Sequence, residues 1–201
     1  SQSPEEQQAI IRHKRQALSI DAKHVVLIMT TAARILALNE FDYDRWLNCW
    51  KTILDYLEEH PNVQVVVKSH KNNYDSFVAE LATKRGITNL SILGGRLEDA
   101  LILADLVVDL GKPGTGTLTA LLFERPLLLY RGLYKYVRQL NEQVHRVGAD
   151  FLIDSPQALV QTWDRLWADK TASLANLKAR NRNLLRLLAE IPDARIETSE
   201  C

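Results

Sequence analysis

The sequence predicts a doubly wound α/β fold: a sheet of about six parallel strands flanked by helices. Three observations carry that expectation. Short, continuous apolar runs rich in valine and isoleucine recur along the chain, as in strands buried on both faces. Between them, apolar residues repeat at helical spacing. The connections are short and punctuated by Gly, Pro and Asp, as expected where strands and helices alternate in a parallel sheet.

Ser3-Pro4-Glu5-Glu6 opens the first helix, with a serine cap, a proline in the first turn and acids at the positive end of the dipole. That helix carries the basic run Arg12 to Arg15, read as a solvated face, and ends before Asp21. Val25 to Met29 is the first strand. Trp46, Trp50, Leu54 and Leu57 stripe a helix that opens near Asp42 or Asp44 and stops by Pro61. Val63 to Val67 is the second strand, and Tyr74, Phe77, Val78 and Leu81 mark a helix closed by Gly86. Leu90 to Leu93 is a third strand, Leu97 to Ala104 a short helix and Leu106 to Leu110 a fourth strand. Thr117 to Phe123 is a helix broken before Pro126, and Leu127 to Tyr130 is the fifth strand. Phe151 to Ile153 makes a sixth, followed by a helix striped by Leu159, Trp163 and Leu166 and a last one carrying Leu174, Leu177, Leu184 and Leu188. The tryptophans Trp46, Trp50, Trp163 and Trp167 sit on these stripes and are expected in the core.

The expected organisation is a linker and helix over 1–22, an α/β domain over 23–170, and a helix and tail over 171–201. The opening residues read as the end of a linker, so the chain is expected to be part of something longer. Composition narrows the function. Twenty-five Lys and Arg balance twenty-five Asp and Glu, which argues against a nucleic-acid partner held through backbone phosphates. Two cysteines, Cys49 and Cys201, are too few for a disulfide framework or a zinc site, and point to a reducing, cytoplasmic setting. No apolar run reaches the roughly 18–20 residues of a membrane span. His13, His24, His60 and His145 have no metal-ligand partner at suitable spacing. No metal and no cofactor is expected.

In a doubly wound fold, ligands bind outside the carboxyl ends of the strands. The first strand is followed by Thr30 and Thr31, the second by Lys68 and His70, and the third by Gly94, Gly95 and Arg96. The densest feature follows the fourth strand: Gly111-Lys112-Pro113-Gly114-Thr115-Gly116-Thr117. Glycines there let a backbone approach a ligand, the next helix offers unpaired N–H groups to an anion, and Thr115 and Thr117 add hydroxyls. It is not a Walker A loop, because Lys112 precedes the glycines, nor a dinucleotide fingerprint, because Thr119 stands where a third glycine is needed. A phosphate is the expected anion. Lys68 and His70, two residues apart at a strand end, are the candidate catalytic pair, able to stabilise a diphosphate leaving group. The competing readings are a glycine turn that merely caps a helix and a solvated strand end.

These segments, VVLIMTT (25–31), VVVKSH (65–70), GGRLEDALILADLVVDL (94–110) and GKPGTGTLTALLFERPLLLY (111–130), resemble the carboxyl-terminal half of a glycosyltransferase of the GT-B architecture, in which two Rossmann-like domains face each other. The Lys-x-His after the second strand is similar to capsule- and teichoic-acid-type transferases, and the Gly-Thr-x-Thr-Leu segment to lipid-A-disaccharide-synthase-like enzymes. The resemblance covers about residues 18–170. It implies that Gly114, Thr115, Gly116 and Thr117 hold donor phosphates, that Thr30 and Thr31 line the interdomain side, that Lys68 and His70 stand near the diphosphate or sugar, and that Gly94, Gly95 and Arg96 lie beside the base. Where many relatives place a ribose-binding carboxylate, this chain has Thr119, with Glu124 a little over a turn later.

The function implied is binding of a UDP- or CMP-linked sugar donor for transfer to a surface-glycan acceptor, in polysaccharide biosynthesis. A missing amino-terminal half is then a partner that brings the acceptor site and the general base, so that the lone chain turns over little or not at all. The last helix is expected to fold back across the domain junction, and peripheral membrane association through the missing half stays open. The alternatives are half of a UDP-sugar 2-epimerase, half of a CDP-glycerol glycerophosphotransferase, and a non-catalytic interaction module derived from the same fold.

Overall fold

The computed structural model describes residues 4–18, 20–30, 42–69, 75–110, 114–130 and 152–190. In chain order these form α1 (Pro4–Ala17), β1 (His24–Met29), α2 (Tyr43–Glu59), β2 (Val63–Lys68), α3 (Asp75–Lys84), β3 (Leu90–Leu93), α4 (Leu97–Leu103), β4 (Leu106–Asp109), α5 (Thr115–Leu122), β5 (Leu127–Tyr130), β6 (Leu152–Ile153), α6 (Pro156–Ala168) and α7 (Lys170–Glu190). The strands make one six-stranded sheet in the order β3-β2-β1-β4-β5-β6, every pair parallel. The chain steps one way from β1 to β3, then returns across β1 to β4 and continues to β6. Right-handed crossovers therefore set α2 and α3 on one face and α4 and α5 on the other. The order reverses between β1 and β4, so a crevice opens there at their carboxyl ends.

The apolar runs behave as their composition requires. His24 to Met29 and Val63 to Val67 are buried throughout, because helices cover both faces of the sheet. Asp42 caps α2 by accepting the Arg45 N–H, and Ser155 caps α6 by accepting the Ala158 N–H, with Pro156 in the first turn. Trp50 and Trp163 are fully buried and Trp46 nearly so. Tyr56 joins α2 to α6, its ring edge-on to Trp163 at 5.4 Å and its hydroxyl donating to Asp164 at 2.8 Å.

The amino-terminal edge of the sheet is held by charge. Asp105, just before β4, accepts the Val25 N–H and pairs with Arg15 of α1 at 3.2 Å and Lys170 of α7 at 3.0 Å. Arg15 also donates to the Leu103 carbonyl, and Lys14 pairs with Asp99 on α4. Half of the basic run read as a solvated face thus ties α1 to the domain, while Arg12 and His13 are exposed. On the far side Asn181 of α7 grips β5, its Oδ1 accepting the Leu127 N–H at 2.8 Å and its Nδ2 donating to the Leu127 carbonyl at 3.1 Å.

His24 opens β1 buried, its ring stacked on Trp167 at 4.4 Å. Burial holds its pKa below the usual histidine value, Lys170 and Lys23 lower it further, and Asp105 opposes them. Its Nδ1 has no hydrogen-bond partner among the described residues, so a proton gains nothing there. With the folded-state value depressed, the neutral ring's contribution to stability is complete above the unfolded value of about 6.5 and is lost as pH falls below it. Urea midpoints measured on either side of that value will fall with pH in the native chain. His24→Phe, which keeps the stack and removes the titration, will show a shallower fall; an equal slope would acquit His24.

Candidate donor-phosphate site

The last residues of four neighbouring strands, Leu93, Lys68, Met29 and Asp109, stand in one row, which Leu129, the last but one of β5, continues. Registered neighbours in a parallel sheet point to the same face, so Lys68 and Asp109 flank Met29 on one side, about 10 Å apart across two strand spacings. The amino-terminal turn of α5 lies over that row: a Cβ built on Gly116 would stand 3.6 Å from Met29 Sδ and 3.7 Å from Leu97.

Thr117 fixes the turn. Its hydroxyl donates to Asp109, both being buried, and accepts the Gly114 N–H at 2.9 Å. Gly114 has no side chain to cap α5, so the Thr117 hydroxyl takes over part of that task by holding the Gly114 backbone. By helix geometry the N–H groups of Thr115, Gly116 and Thr117 have no carbonyl within α5 to bond, and they carry the positive end of its dipole. The contacts around Gly116 are ordinary packing distances, so a methyl would fit. A glycine inside a helix costs about 1 kcal/mol relative to alanine. Packing does not account for it.

Around this turn the structure gathers most of the residues expected from sequence. Thr30 follows β1, and its hydroxyl lies 3.5 Å from the Lys68 carbonyl. Lys68 ends β2, half-buried, with Nζ donating to the Ser69 carbonyl at 3.0 Å. Gly94 and Gly95 follow β3, exposed, with Gly95 at φ +76°, a conformation side chains rarely adopt. Arg96 precedes α4 with its side chain 78% exposed and only a 3.4 Å contact to Glu98, a surface pair that leaves the guanidinium easy to recruit. Thr119 sits one turn into α5, its hydroxyl bonded back to the Thr115 carbonyl. Thr31 and His70 lie outside the described residues.

Two expectations are corrected. Glu124 is not at this rim. It follows the carboxyl end of α5, at the opposite end of that helix, and pairs there with Lys178 at 2.9 Å and Arg182 at 3.1 Å. Counting turns along the helix placed it nearer the site than the helix direction allows. The Thr117 hydroxyl is also committed inside the protein, so what Thr117 has left for an anion is its main-chain N–H. Asp109 was not singled out from sequence, although an acid ending an otherwise apolar buried strand is a signal that something must satisfy it.

No protein-family model matches the sequence, and no curated protein sequence does. Solved structures match. HepE from Anabaena, in complex with UDP and glucose, superposes with a TM-score of 0.62 at 16% identity over 94% of this chain and 50% of its own. The chain has the fold of one GT-B half. A glycosyltransferase from Rickettsia africae gives a TM-score of 0.62 at 12% identity over 94% of this chain and 50% of its own. A UDP-GlcNAc 2-epimerase from Neisseria meningitidis, bound to UDP-GlcNAc, gives 0.52 at 14% identity over 90% and 48%. The chain spans about half the length of each of these three. Among its described residues no helix is long and apolar enough to cross a membrane.

Proposed function

We propose that this chain is the carboxyl-terminal, donor-binding half of a glycosyltransferase that takes its sugar from a nucleotide-sugar, UDP-linked before CMP-linked, for a surface glycan made in the cytoplasm. One observation carries the reading. The open amino end of α5, with a glycine at Gly116 that packing does not require, lies at the strand-order reversal over Met29, the registered neighbour of Lys68. The donor phosphates would lie on the N–H groups of Thr115, Gly116 and Thr117, with the Gly114 backbone set by the Thr117 hydroxyl. Lys68, joined by His70, would neutralise charge growing on the departing diphosphate, acting through position and electrostatics. Thr30 and Thr31 would border the sugar, and Gly94, Gly95 and Arg96 the base. The acceptor and the base that activates it would come from a second half, leaving the lone chain a binder without turnover. The UDP-bearing structures of similar fold support the nucleotide class. The Neisseria epimerase supports a second reading, in which a UDP-sugar is epimerised without an acceptor.

Titrating the chain with UDP, CDP, CMP, GDP and ADP, followed by NMR, tests the proposal. UDP should bind selectively, and Lys68→Ala should weaken it about tenfold, the value of one charge-assisted hydrogen bond, without moving the thermal midpoint. Preference for CDP would favour the glycerophosphotransferase half. Silence across the panel would favour the non-catalytic module.

A further inference from the structure

We propose that the end of the domain opposite the candidate site is a docking surface for an anionic lipid bilayer, formed by Leu122 and Phe123 at the end of α5 and by the basic stripe Lys178, Arg182 and Arg186 of α7. Leu122 is the most exposed large apolar residue among those described, at 63%, and Phe123 follows it at 41%. Among the described residues the other exposed large apolar side chains, Leu18, Tyr43 and Phe77, stand singly in the sequence, whereas these two are adjacent at a helix end. Glu124, the next residue, takes a left-handed backbone at φ +51° that closes the helix, and its carboxylate pairs with Lys178 and Arg182. Those ion pairs place the α7 stripe beside the apolar pair. Lys178, Arg182 and Arg186 recur every four residues, so they share one face of the helix, and Arg186 is exposed.

The charge is local. The chain as a whole is neutral, yet α7 carries Lys170, Lys178, Arg180, Arg182 and Arg186 against a single acid, Glu190. Glu124 offsets one unit of the stripe and leaves it net positive. Apolar side chains flanked by long basic ones match a bilayer interface, where the former enter the acyl boundary and the latter meet headgroup phosphates. A protein partner fits less well, because a stable protein interface buries about 800 Å² on each side around an apolar centre, more than two side chains supply. Because α5 runs from the rim to this end, a docked domain keeps its nucleotide crevice clear of the membrane.

The test is co-sedimentation of the full chain with phosphatidylserine–phosphatidylcholine vesicles and with pure phosphatidylcholine vesicles, at low and high salt. Binding to the anionic vesicles alone, reduced by salt, is expected. Leu122→Ser with Phe123→Ser should abolish it, and Arg186→Ala should weaken it about fivefold, the effect of one cation near such a surface. Glu124→Gln should strengthen it, since removing the acid frees both cations, whereas a turn with only a structural role would give no gain. UDP titration should be unchanged in each variant. The proposal is overturned by equal binding to neutral vesicles, by binding that survives these substitutions, or by self-association that Leu122→Ser and Phe123→Ser abolish.

Discussion

Thr117→Val will cost about 2–3 kcal/mol of stability and will remove nucleotide binding, while Thr117→Ser will leave both nearly intact. The hydroxyl donates to Asp109 and accepts from the Gly114 N–H, all close to the Met29 row. Valine matches threonine in shape, so the packing is kept and only the polar atom goes. Asp109 then loses a donor in a buried position, where a lost hydrogen bond costs most, and Gly114 loses the acceptor that holds its backbone. The turn that aims the Thr115 and Gly116 N–H groups loses its tether in the same step. Urea unfolding gives the first effect and UDP titration the second. The pair of measurements also separates this side chain from Lys68: Lys68→Ala should lose affinity at unchanged stability. If Thr117→Val unfolds no more easily than the native chain, the Asp109 bond does not organise the turn.

The helix at this turn shows why the sequence reading was incomplete. Thr-Gly-Thr reads locally as loop, which places the helix start at Thr117; the start at Thr115 depends on the bonds that Thr117 makes to Gly114 and Asp109. The strands were legible because a parallel sheet covered on both faces leaves continuous apolar runs, a signal contained in each segment itself. The strand β1 reaches back to His24, which pairs with Val63 and stacks its ring on Trp167, neighbours that no local pattern shows. Lys68, Thr30 and the Gly94–Arg96 loop were found because position after a strand is enough to place them at the rim. Glu124 was misplaced because spacing along a helix says which face a residue occupies but not which end of the sheet it reaches. Asp105 carries no such signal: its partners Arg15 and Lys170 come from the first and last helices, and no local pattern joins them.

Asp105→Ala will destabilise the domain by about 3 kcal/mol, the largest effect expected of a single substitution away from the candidate site. Its carboxylate is 18% exposed and serves three groups: the Val25 N–H that starts β1 in register, the Arg15 guanidinium and the Lys170 ammonium. A third cation stands near. Burial pulls the Arg125 guanidinium below its ordinary pKa, Asp105 opposes that pull and Arg15 adds to it. Removing the acid therefore leaves three cations facing one another at the base of the sheet, with the strand N–H unmet. Asp105→Asn should fall between the native chain and the alanine variant, because an amide oxygen can still accept from Val25 while the charge is lost. Adding Lys170→Met to Asp105→Ala should cost less than the two single losses summed, since the second change removes a repulsion that the first created. Strict additivity would mean that Lys170 holds α7 through its bond to the Lys23 carbonyl and not through Asp105. Less-than-additive loss would show that one carboxylate closes both ends of the chain onto the sheet, and so holds the crevice between β1 and β4 from below.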